Sequence, residues 1–418
     1  MAKRFAFGRP PQSLSDLLEA DNLTLVADAL LSHFFQPRPP PPPRLTLLRH
    51  KDYSSLTTEE GSRALAPSSN PSAPGPDHIP YSVWKSLHHI RPCLLSCLLD
   101  PLLAHAFHPP SLKKALGIVL DKPGKPAYDS PSSFRVIVLL HTLSKVLSKI
   151  AASRLSLQDI TCLLIHPLQC GFLTGKSTMD TARVVQPHAQ SLHRDRHKVS
   201  TLFLDLKGSC ENVELSVLLS LLCHKGVSPY LIHLIGSFLR DRTCRLSLQR
   251  FPRTFPLVSV GVPQSSAISP LLFVIYVSSL HTDIPNGLTI FSLDDFAFTV
   301  ASPSYRKNVR LLQRAFSTLQ RRPTSRTISF SVLKTELMDC RTPRKNQPRC
   351  GIPVHLEGLV FYPQNCLKWL SFLFTPSFDP RALFSLPLSL PNALFARIRH
   401  LSPPGVGLPP HLYLPRRP

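Results

Sequence analysis

Three aspartates stand out because each lies beside an apolar segment with the composition of a β-strand. Asp294 and Asp295 are adjacent, and short apolar runs rich in β-forming residues flank them within residues 290–300. This pattern predicts a β-hairpin with both carboxylates at its tip. Aspartate is common in turns, so the pair taken alone also fits an ordinary hairpin. Asp205 lies near the end of a second apolar segment, residues 200–208, which predicts another strand.

The three carboxylates predict a metal site if their strands are neighbours. Carboxylates that share a site repel each other, and this is costly unless cations lie between them. Two magnesium ions held about 3.5–4 Å apart are the machinery of nucleotide addition, in which one activates a 3′-hydroxyl and the other steadies the leaving pyrophosphate. We therefore expect Asp205, Asp294 and Asp295 to converge within metal-bridging reach and to hold two Mg²⁺ or Mn²⁺ ions.

The elements that must position these side chains follow from the spacing of apolar residues. Short apolar runs predict strands, and apolar residues three and four apart predict helices. The predicted strands are Leu112–Leu120, Phe134–Leu140, Arg245–Gln249, Leu257–Val260 and Ile328–Val332, with one more strand or hairpin at Leu367–Thr375. The predicted helices are Thr142–Leu155, Met179–Arg194, Val213–Lys225, Ser228–Arg240, Ala267–Leu280 and a basic helix around Arg306–Arg321. Residues 60–78 are rich in Ser, Pro and Gly and are expected to form a loop.

The predicted helix Thr142–Leu155 has one apolar and one charged face. Lys145, Lys149 and Arg154 share the charged face. Since the charged face of an amphipathic helix usually meets solvent, we expect these side chains at the surface.

The charge of the chain indicates a polyanionic partner. The 418 residues include 48 Lys and Arg but only 25 Asp and Glu, a formal net charge of +23. Nucleic acid is the first candidate, although a ribosomal or membrane-surface protein could carry a similar charge. No apolar run reaches the ~18 residues that a membrane span needs, and residues 1–13 lack the apolar core of a signal peptide. We therefore expect an intracellular protein, nuclear or cytoplasmic and not secreted, with no membrane partner.

Several short motifs occur in a recognisable order along the chain. They are Ala73–Pro80; Lys122–Lys125 with Phe134–Ile137; Gln169–Phe172 ending in Lys176–Thr178; Phe203–Gly208; Gly261–Ser266 with Ile268–Phe273; Asp294–Asp295; Phe330–Ser331 with Lys334–Glu336; and Lys368–Leu370. In this order they resemble the motifs of the reverse transcriptase of non-LTR retrotransposons, most closely the fungal elements, over about residues 73–408. The order of the motifs is far more specific than any one of them.

The resemblance implies an RNA-directed DNA polymerase that uses an RNA template, a DNA primer and deoxynucleoside triphosphates. Asp205, Asp294 and Asp295 would hold the metal ions, and Lys334 would lie near the leaving pyrophosphate. Three groups of residues would bind substrate. Arg135, with Lys122 or Lys125, would contact the triphosphate. Gln264 would lie against the nucleotide and the template, and Cys210 would lie under the sugar. The family has a bulky aromatic residue at this last position, which rejects ribose, so the smaller cysteine predicts weak discrimination against ribonucleotides.

The resemblance also implies an α/β (α+β) fold of the right-hand polymerase type. Its parts would be an N-terminal helix and Pro-rich arm at residues 1–45, fingers at 46–198, a palm at 199–341, and a primer-grip hairpin with a truncated thumb and Pro-rich tail at 342–418. The palm sheet is expected to be antiparallel, with helices packed on one face.

The chain departs from the family's pattern at functional positions. The departures are Ser292 in place of an aromatic residue, Ser209–Glu211 in place of Ala-Phe-Asp, Ser265 and Ser371 in place of Gly, and Ala267 in place of Pro. Serine tolerates a positive φ poorly compared with glycine. From the resemblance we also expect a chain without the endonuclease such elements usually carry upstream, and with a shortened thumb. The resemblance therefore predicts a truncated, partly degraded copy, either an active polymerase or a catalytically inactive nucleic-acid-binding remnant.

Overall fold

The computed structural model describes most of the chain between residues 52 and 376. The described residues are 52–70, 72–121, 133–171, 173, 176–177, 180–181, 184–185, 188–189, 192, 197–207, 210–248, 251–257, 261–263, 265–281, 283–284, 287–322, 328–331, 334–340, 351–370 and 372–376. The predictions that lie outside them concern the N-terminal helix and Pro-rich arm, the Pro-rich tail, most of Met179–Arg194, and the site residues Lys122, Lys125 and Gln264.

Helices and strands are interspersed along the described residues. The helices are α1 (Thr58–Leu65), α2 (Tyr81–Ile90), α3 (Leu94–Ala104), α4 (Thr142–Cys162), α5 (Leu215–His224), α6 (Pro229–Leu239), α7 (Ser269–Ser278) and α8 (Tyr305–Gln320). The strands are β1 (Lys114–Asp121), β2 (Phe134–Leu140), β3 (Lys198–Lys207), β4 (Arg242–Leu248), β5 (Phe251–Leu257), β6 (Gly287–Ser292), β7 (Asp295–Ser302), β8 (Ser329–Phe330), β9 (Glu336–Cys340), β10 (Val354–Leu356), β11 (Leu359–Phe361), β12 (Leu367–Trp369) and β13 (Phe372–Phe374). None of the described helices combines the length and the apolar composition that crossing a membrane requires.

Two larger sheets organise the described part of the chain. The first has the order β2-β1-β4-β5, in which β1 runs antiparallel to β2 and parallel to β4. The second, which we call the palm sheet, has the order β6-β7-β3-β8, and β9 also pairs with β3. All of these palm-sheet pairings are antiparallel. The predicted mixed α/β fold with an antiparallel palm sheet is therefore confirmed.

The two faces of the palm sheet bury different side chains of β3, because side chains alternate along a strand. Leu202 and Leu204 belong to the main hydrophobic core, together with α8, which packs against β3 and β7. Phe203 lies on the other face, where its ring centroid is 5.0 Å from that of Trp369 and 5.6 Å from that of Phe374. These two rings belong to the hairpin of β12 and β13, so the strand or hairpin predicted at Leu367–Thr375 is a hairpin.

Helical residues also pack on this second face. Val185 and Ala189 are fully buried there, in the same cluster as Phe203. The predicted helix packing on one face is provided by α8, and helical residues cover the second face as well, which the sequence does not predict.

Helix α1 overlaps the start of residues 60–78, which the sequence predicts to be a loop. The Thr57 hydroxyl accepts a hydrogen bond from the Glu60 backbone N–H at 3.1 Å and caps the first turn. The Glu60 carboxylate then accepts two hydrogen bonds from Arg154 of α4, at 2.7 and 2.8 Å. Arg154 and Lys145 are both buried, so the charged face of α4 is not solvated as predicted. Helical spacing alone does not show that a distant helix supplies the countercharge.

Several element boundaries differ from the predicted ones, although β2 has the predicted bounds. Residues 110–113 form a 3-10 turn, so β1 begins at Lys114 rather than at Leu112. Helix α4 continues to Cys162, beyond its predicted end at Leu155. Strand β5 ends at Leu257, where the sequence predicts a strand to begin. The sequence predicts none of β9, β10 and β11, whose short runs give little periodic signal.

Candidate active site

Strands β6 and β7 form the hairpin that carries the adjacent aspartates. Ser292 pairs with Asp295 at its end, and Leu293 and Asp294 form the two-residue turn between them. Leu293 has a φ of 62°, a conformation that non-glycine residues rarely adopt and that persists only where the surroundings hold it. Asp294 therefore lies in the turn as predicted, whereas Asp295 is the first residue of β7.

Asp205 and Asp295 lie side by side on neighbouring strands. They are direct partners in the antiparallel pairing of β3 and β7, so their side chains leave the sheet on the same face. The Leu206 N–H donates to the Asp294 carbonyl at 3.0 Å, and the Ser331 N–H donates to the Asp205 carbonyl at 2.8 Å. The structure thus brings all three aspartates to one end of the palm sheet.

Burial and mutual repulsion disfavour the charged forms of the hairpin carboxylates. Burial, and then the nearby charges of Asp294 and Asp205, raise the pKa of Asp295 to about 7. The pKa of Asp294 is also raised, mainly by burial and in addition by Asp205. Lys334 opposes both shifts. Its Nζ lies 2.7 Å from Asp205 Oδ2, and this hydrogen bond raises the pKa of the lysine.

The donor set suits a hard divalent cation in its chemistry. Carboxylate oxygens are ligands that Mg²⁺ takes in proteins, and the raised pKa of Asp295 reflects first its burial and then the nearby charges of Asp294 and Asp205. The side chains as they stand do not enclose an ion: within the described ranges, no three Asp, Glu, His or Cys side chains are grouped closely enough to hold a metal. The Asp205 carboxylate instead contacts Lys334. The expected metal-bridging distances are therefore not met in this arrangement, and the metal-binding role stays a prediction.

A loop segment supports the aspartate hairpin from the side. The Cys170 N–H donates to the Phe291 carbonyl at 3.0 Å, and the Phe291 N–H donates to the Leu168 carbonyl at 3.3 Å. The next residue, Gly171, comes so close that an added Cβ would lie 2.4 Å from the Leu293 nitrogen. Only glycine fits there without displacing the turn. This segment is one of the sequence motifs, but the sequence gives no indication of its role, because its partner lies far along the chain.

Cys210 lies next to the start of the Gly261–Ser266 motif. Its carbonyl accepts a hydrogen bond from the Val262 N–H at 2.8 Å, and the Gly261 N–H donates to the Val213 carbonyl at 3.0 Å. Cys210 is half-buried in a 3-10 turn. Ser265, which replaces a glycine of the family, does not have a positive φ. This serine therefore causes none of the backbone strain that the sequence comparison suggests.

The remaining predicted substrate residues are only partly described. Arg135 lies in β2, paired with Leu120 of β1, while its side chain is outside the described residues. Lys122, Lys125 and Gln264 lie outside them altogether. Their roles at the triphosphate and the template stay predictions.

Comparisons with known proteins identify the family. The family model for reverse transcriptase (RNA-dependent DNA polymerase) matches residues 120–374, more than half of the chain. A probable RNA-directed DNA polymerase from transposon BS of Drosophila melanogaster is 26% identical over 305 residues, which cover 71% of this chain and 33% of the relative. The RNA-directed DNA polymerase from mobile element jockey of the same species is 27% identical over 234 residues, or 56% of this chain and 25% of the relative.

Two further matches are more distant or more partial. A retrovirus-related Pol polyprotein from the type-1 retrotransposable element R1 of Bradysia coprophila is 30% identical over 212 residues, or 50% of this chain and 19% of the relative. An apo telomerase structure from Candida tropicalis, truncated from its C-terminal domain, matches with a TM-score of 0.44 and 12% identity, over 72% of this chain and 60% of that chain.

The chain spans about a third or less of the length of these curated relatives. Because the relatives include polymerases of non-LTR mobile elements, the resemblance to this class is confirmed. They come from insects, so a particular closeness to fungal elements stays a prediction. The matched segment contains all three aspartates and Lys334. The chain belongs to the reverse transcriptase (RNA-dependent DNA polymerase) family.

Proposed function

We propose that this chain acts as an RNA-directed DNA polymerase, the reverse transcriptase part of a non-LTR retrotransposon. The observation that carries the proposal is the cross-strand pair of Asp205 and Asp295, with Asp294 in the adjoining turn and Lys334 beside them. Carboxylates arranged in this way repel each other, and a fold retains such an arrangement at a cost that cation binding removes. The proposal assigns residues 46–198 to the fingers, 199–341 to the palm and 342–418 to a primer-grip hairpin and partial thumb.

Asp205, Asp294 and Asp295 would hold two Mg²⁺ or Mn²⁺ ions. When bound, these ions would supply the positive charge that activates a primer 3′-hydroxyl and steadies the leaving pyrophosphate. The chain contributes the geometry of the ligands: the β3–β7 pairing sets two carboxylates on one face, and the Leu293 turn sets the third. The strand pairing thus preorganises the backbone of the site. The Asp205 carboxylate would still have to exchange its contact with Lys334 for an ion.

Lys334 provides a flexible cation at the edge of the site. Its side chain is 67% exposed, and the contact with Asp205 keeps it protonated because it raises the pKa of the lysine. A protonated amine at this place can neutralise or protonate the pyrophosphate oxygen as it leaves. We therefore assign Lys334 the role of a catalytic residue for the leaving group.

The proposed substrate contacts follow from the family motifs and the chemistry of the residues. Arg135, with Lys122 or Lys125, would contact the triphosphate, since a guanidinium matches two phosphate oxygens at once. Gln264 would lie against the nucleotide and the template, and Cys210 would lie under the sugar.

An RNA template and a DNA primer are the proposed macromolecular partners. The net charge of +23 supports this, because cationic proteins release counterions when they bind nucleic acid. We expect affinity for an RNA–DNA primer–template to fall steeply between about 50 and 200 mM salt, with a log–log slope of about 0.9 for each phosphate contacted in duplex DNA. A fluorescence anisotropy titration measures the slope. Nearly constant affinity over this range would show that the basic charge does not serve nucleic-acid binding.

Primer extension on poly(rA)/oligo(dT) tests the function directly. The wild-type chain should incorporate dTTP in the presence of Mg²⁺ or Mn²⁺, and Asp205→Asn should not, although it should still bind the primer–template. Binding without extension by the wild type in both metals would contradict the proposal and support the inactive nucleic-acid-binding remnant.

A further inference from the structure

Gln169 is fully buried beside the turn that carries Asp294. Its side-chain oxygen Oε1 accepts two backbone hydrogen bonds, from the Gly171 N–H at 2.9 Å and from the Leu293 N–H at 3.1 Å. One carboxamide oxygen thus ties the supporting loop to the turn residue with the positive φ. The same two residues, Gly171 and Leu293, lie so close together that a Cβ added at Gly171 would meet the Leu293 nitrogen.

The surroundings of the side-chain nitrogen indicate that the useful atom of Gln169 is its acceptor oxygen. The Gln169 Nε2 is buried and finds no hydrogen-bond partner among the described residues. A buried amide group without a partner is costly, so an apolar side chain of similar size would fill the same space more favourably. Such a side chain would, however, leave the N–H groups of Gly171 and Leu293 without their acceptor.

We infer that Gln169 is a positioning residue, whose carboxamide oxygen holds the Leu293 turn and thereby sets the direction of the Asp294 and Asp295 carboxylates. The inference rests on the proposed polymerase function. A positive φ at a leucine relaxes when nothing outside the hairpin holds it. Gln169 supplies that restraint from a different segment, so it acts on the chemistry through the turn and not through the substrate.

Three variants separate this role from a general effect on packing. Gln169→Met keeps the size of the side chain and removes the acceptor, while Gln169→Glu retains an acceptor oxygen. The matched control is Asn308→Leu, which removes another fully buried amide. Asn308 Nδ2 donates to the Lys198 carbonyl at 2.8 Å and to the Ser200 hydroxyl at 3.1 Å, at the opposite end of β3.

Hydrogen–deuterium exchange of the substrate-free protein tests whether Gln169 restrains the Leu293 turn, and it does not require polymerase activity. Loss of one such hydrogen bond should speed exchange in the peptide that contains Leu293 by up to about tenfold in Gln169→Met. Gln169→Glu and Asn308→Leu should exchange there at the wild-type rate. Should the methionine variant fail to fold, Gln169→Asn, which withdraws the acceptor by one methylene, provides the same comparison. Unchanged exchange in the folded variant overturns the inference whether or not the chain is a polymerase.

Steady-state kinetics then test the consequence for the reaction. Gln169→Met should lower kcat by roughly tenfold or more while primer–template affinity stays unchanged, since misplaced catalytic groups affect the chemical step. Asn308→Leu, compared per folded molecule, should keep the wild-type kcat. Equal losses of kcat in both variants would show that Gln169 has a structural role only. An inactive wild type with the predicted exchange pattern would contradict the proposed function but still support the restraint of the Leu293 turn by Gln169.

Discussion

The two ends of strand β3 use buried carboxylates in opposite ways. At one end, the Asp339 carboxylate accepts a hydrogen bond from the Ser200 hydroxyl at 2.7 Å, and Asn308 Nδ2 donates to the same hydroxyl at 3.1 Å. At the other end, the Asp295 carboxylate accepts no hydrogen bond from the described residues, and burial and neighbouring carboxylates raise its pKa to about 7. A carboxylate with donors stabilises the fold, whereas one without them is suited to bind a cation.

The two carboxylates lie on strands that pair with β3 in one sheet, Asp339 on β9 and Asp295 on β7. Five residues of β3 separate Ser200 from Asp205, or roughly 17 Å along an extended chain. Asp339 is almost fully buried and lies opposite Ser200 in the β3–β9 pairing, whereas Asp205 and Asp295 lie opposite each other. The pairing register therefore decides which carboxylate meets a donor and which meets another carboxylate.

Substitution of Asp295 and of Asp339, beside the two ends of β3, should give the largest difference in primer extension. Asp295→Asn should lower primer extension by roughly a thousandfold or more, because it removes a proposed metal ligand. Asp339→Asn, compared per folded molecule, should stay within about threefold of the wild type, since distant sites act independently. Rates of dTTP incorporation on poly(rA)/oligo(dT) give the comparison. Similar losses in the two variants would break the distinction between the two ends.

Removal of the Lys334 ammonium group should have the next largest effect on the rate of primer extension. Lys334→Met should lower kcat by roughly a hundredfold, because the leaving pyrophosphate loses its proposed proton donor. The matched control is Lys307→Met, which removes an exposed lysine on α8. Single-turnover extension at saturating nucleotide measures the chemical step. A wild-type rate for Lys334→Met would restrict this lysine to neutralising Asp205 in the free protein.

The size of residue 210 should set the choice of sugar. Cys210→Phe should improve discrimination against ribonucleotides by roughly tenfold to a hundredfold, because a phenyl ring would collide with the 2′-hydroxyl. Cys223→Phe, at an exposed position on α5, serves as the control. The ratio of kcat/KM for dTTP and UTP measures discrimination. Equal ratios in wild type and Cys210→Phe, with synthesis measurable in both, would show that residue 210 is not a sugar gate here.

The stability of the metal-free protein should depend on pH differently for the Asp295 and Asp339 variants. The pKa of Asp295 is raised from 3.8 to about 7 in the fold, so its stabilising contribution is complete below about pH 4 and is lost as the pH rises through 7. At pH 8 we expect Asp295→Asn to be more stable than wild type by roughly 1–2 kcal/mol, a value reduced for partial exposure. The difference should vanish near pH 4, where the aspartate is protonated.

The opposite sign is expected for the buried carboxylate at the other end. Asp339→Asn should destabilise the protein at pH 8 by roughly 1–3 kcal/mol, because it disturbs the buried hydrogen bond that Asp339 accepts from the Ser200 hydroxyl. Urea unfolding in EDTA at several pH values measures both variants. A loss of stability in Asp295→Asn at pH 8 would contradict the account of its raised pKa.

The parts of the fold that follow from local patterns are predicted well from the sequence. Strand β2 has its predicted bounds, and helix α4 begins at Thr142 as expected. The hairpin of β6 and β7 follows from apolar runs on both sides of the aspartates. Each of these depends on residues within one element, where apolar spacing is informative.

The parts that fail depend on partners far along the chain. Arg154 is buried because Glu60 lies opposite it, 94 residues away, and Gln169 holds Leu293 across 124 residues. Apolar spacing says nothing about which distant group satisfies a polar side chain. The convergence of the aspartates at one end of the sheet was suggested by their place beside apolar strands, and the order of the family motifs supplied the long-range information that apolar spacing lacks.

The proposed metal-binding role of the three aspartates is tested by the binding of Mn²⁺ to the complex with primer–template and a non-hydrolysable deoxynucleotide. Electron paramagnetic resonance counts the bound ions in wild type, Asp295→Asn and Asp339→Asn. The account predicts two ions in wild type and Asp339→Asn, and affinity weaker by at least about tenfold in Asp295→Asn. Equal Mn²⁺ affinity in all three proteins would show that the carboxylates at the end of β3 do not hold the metal ions.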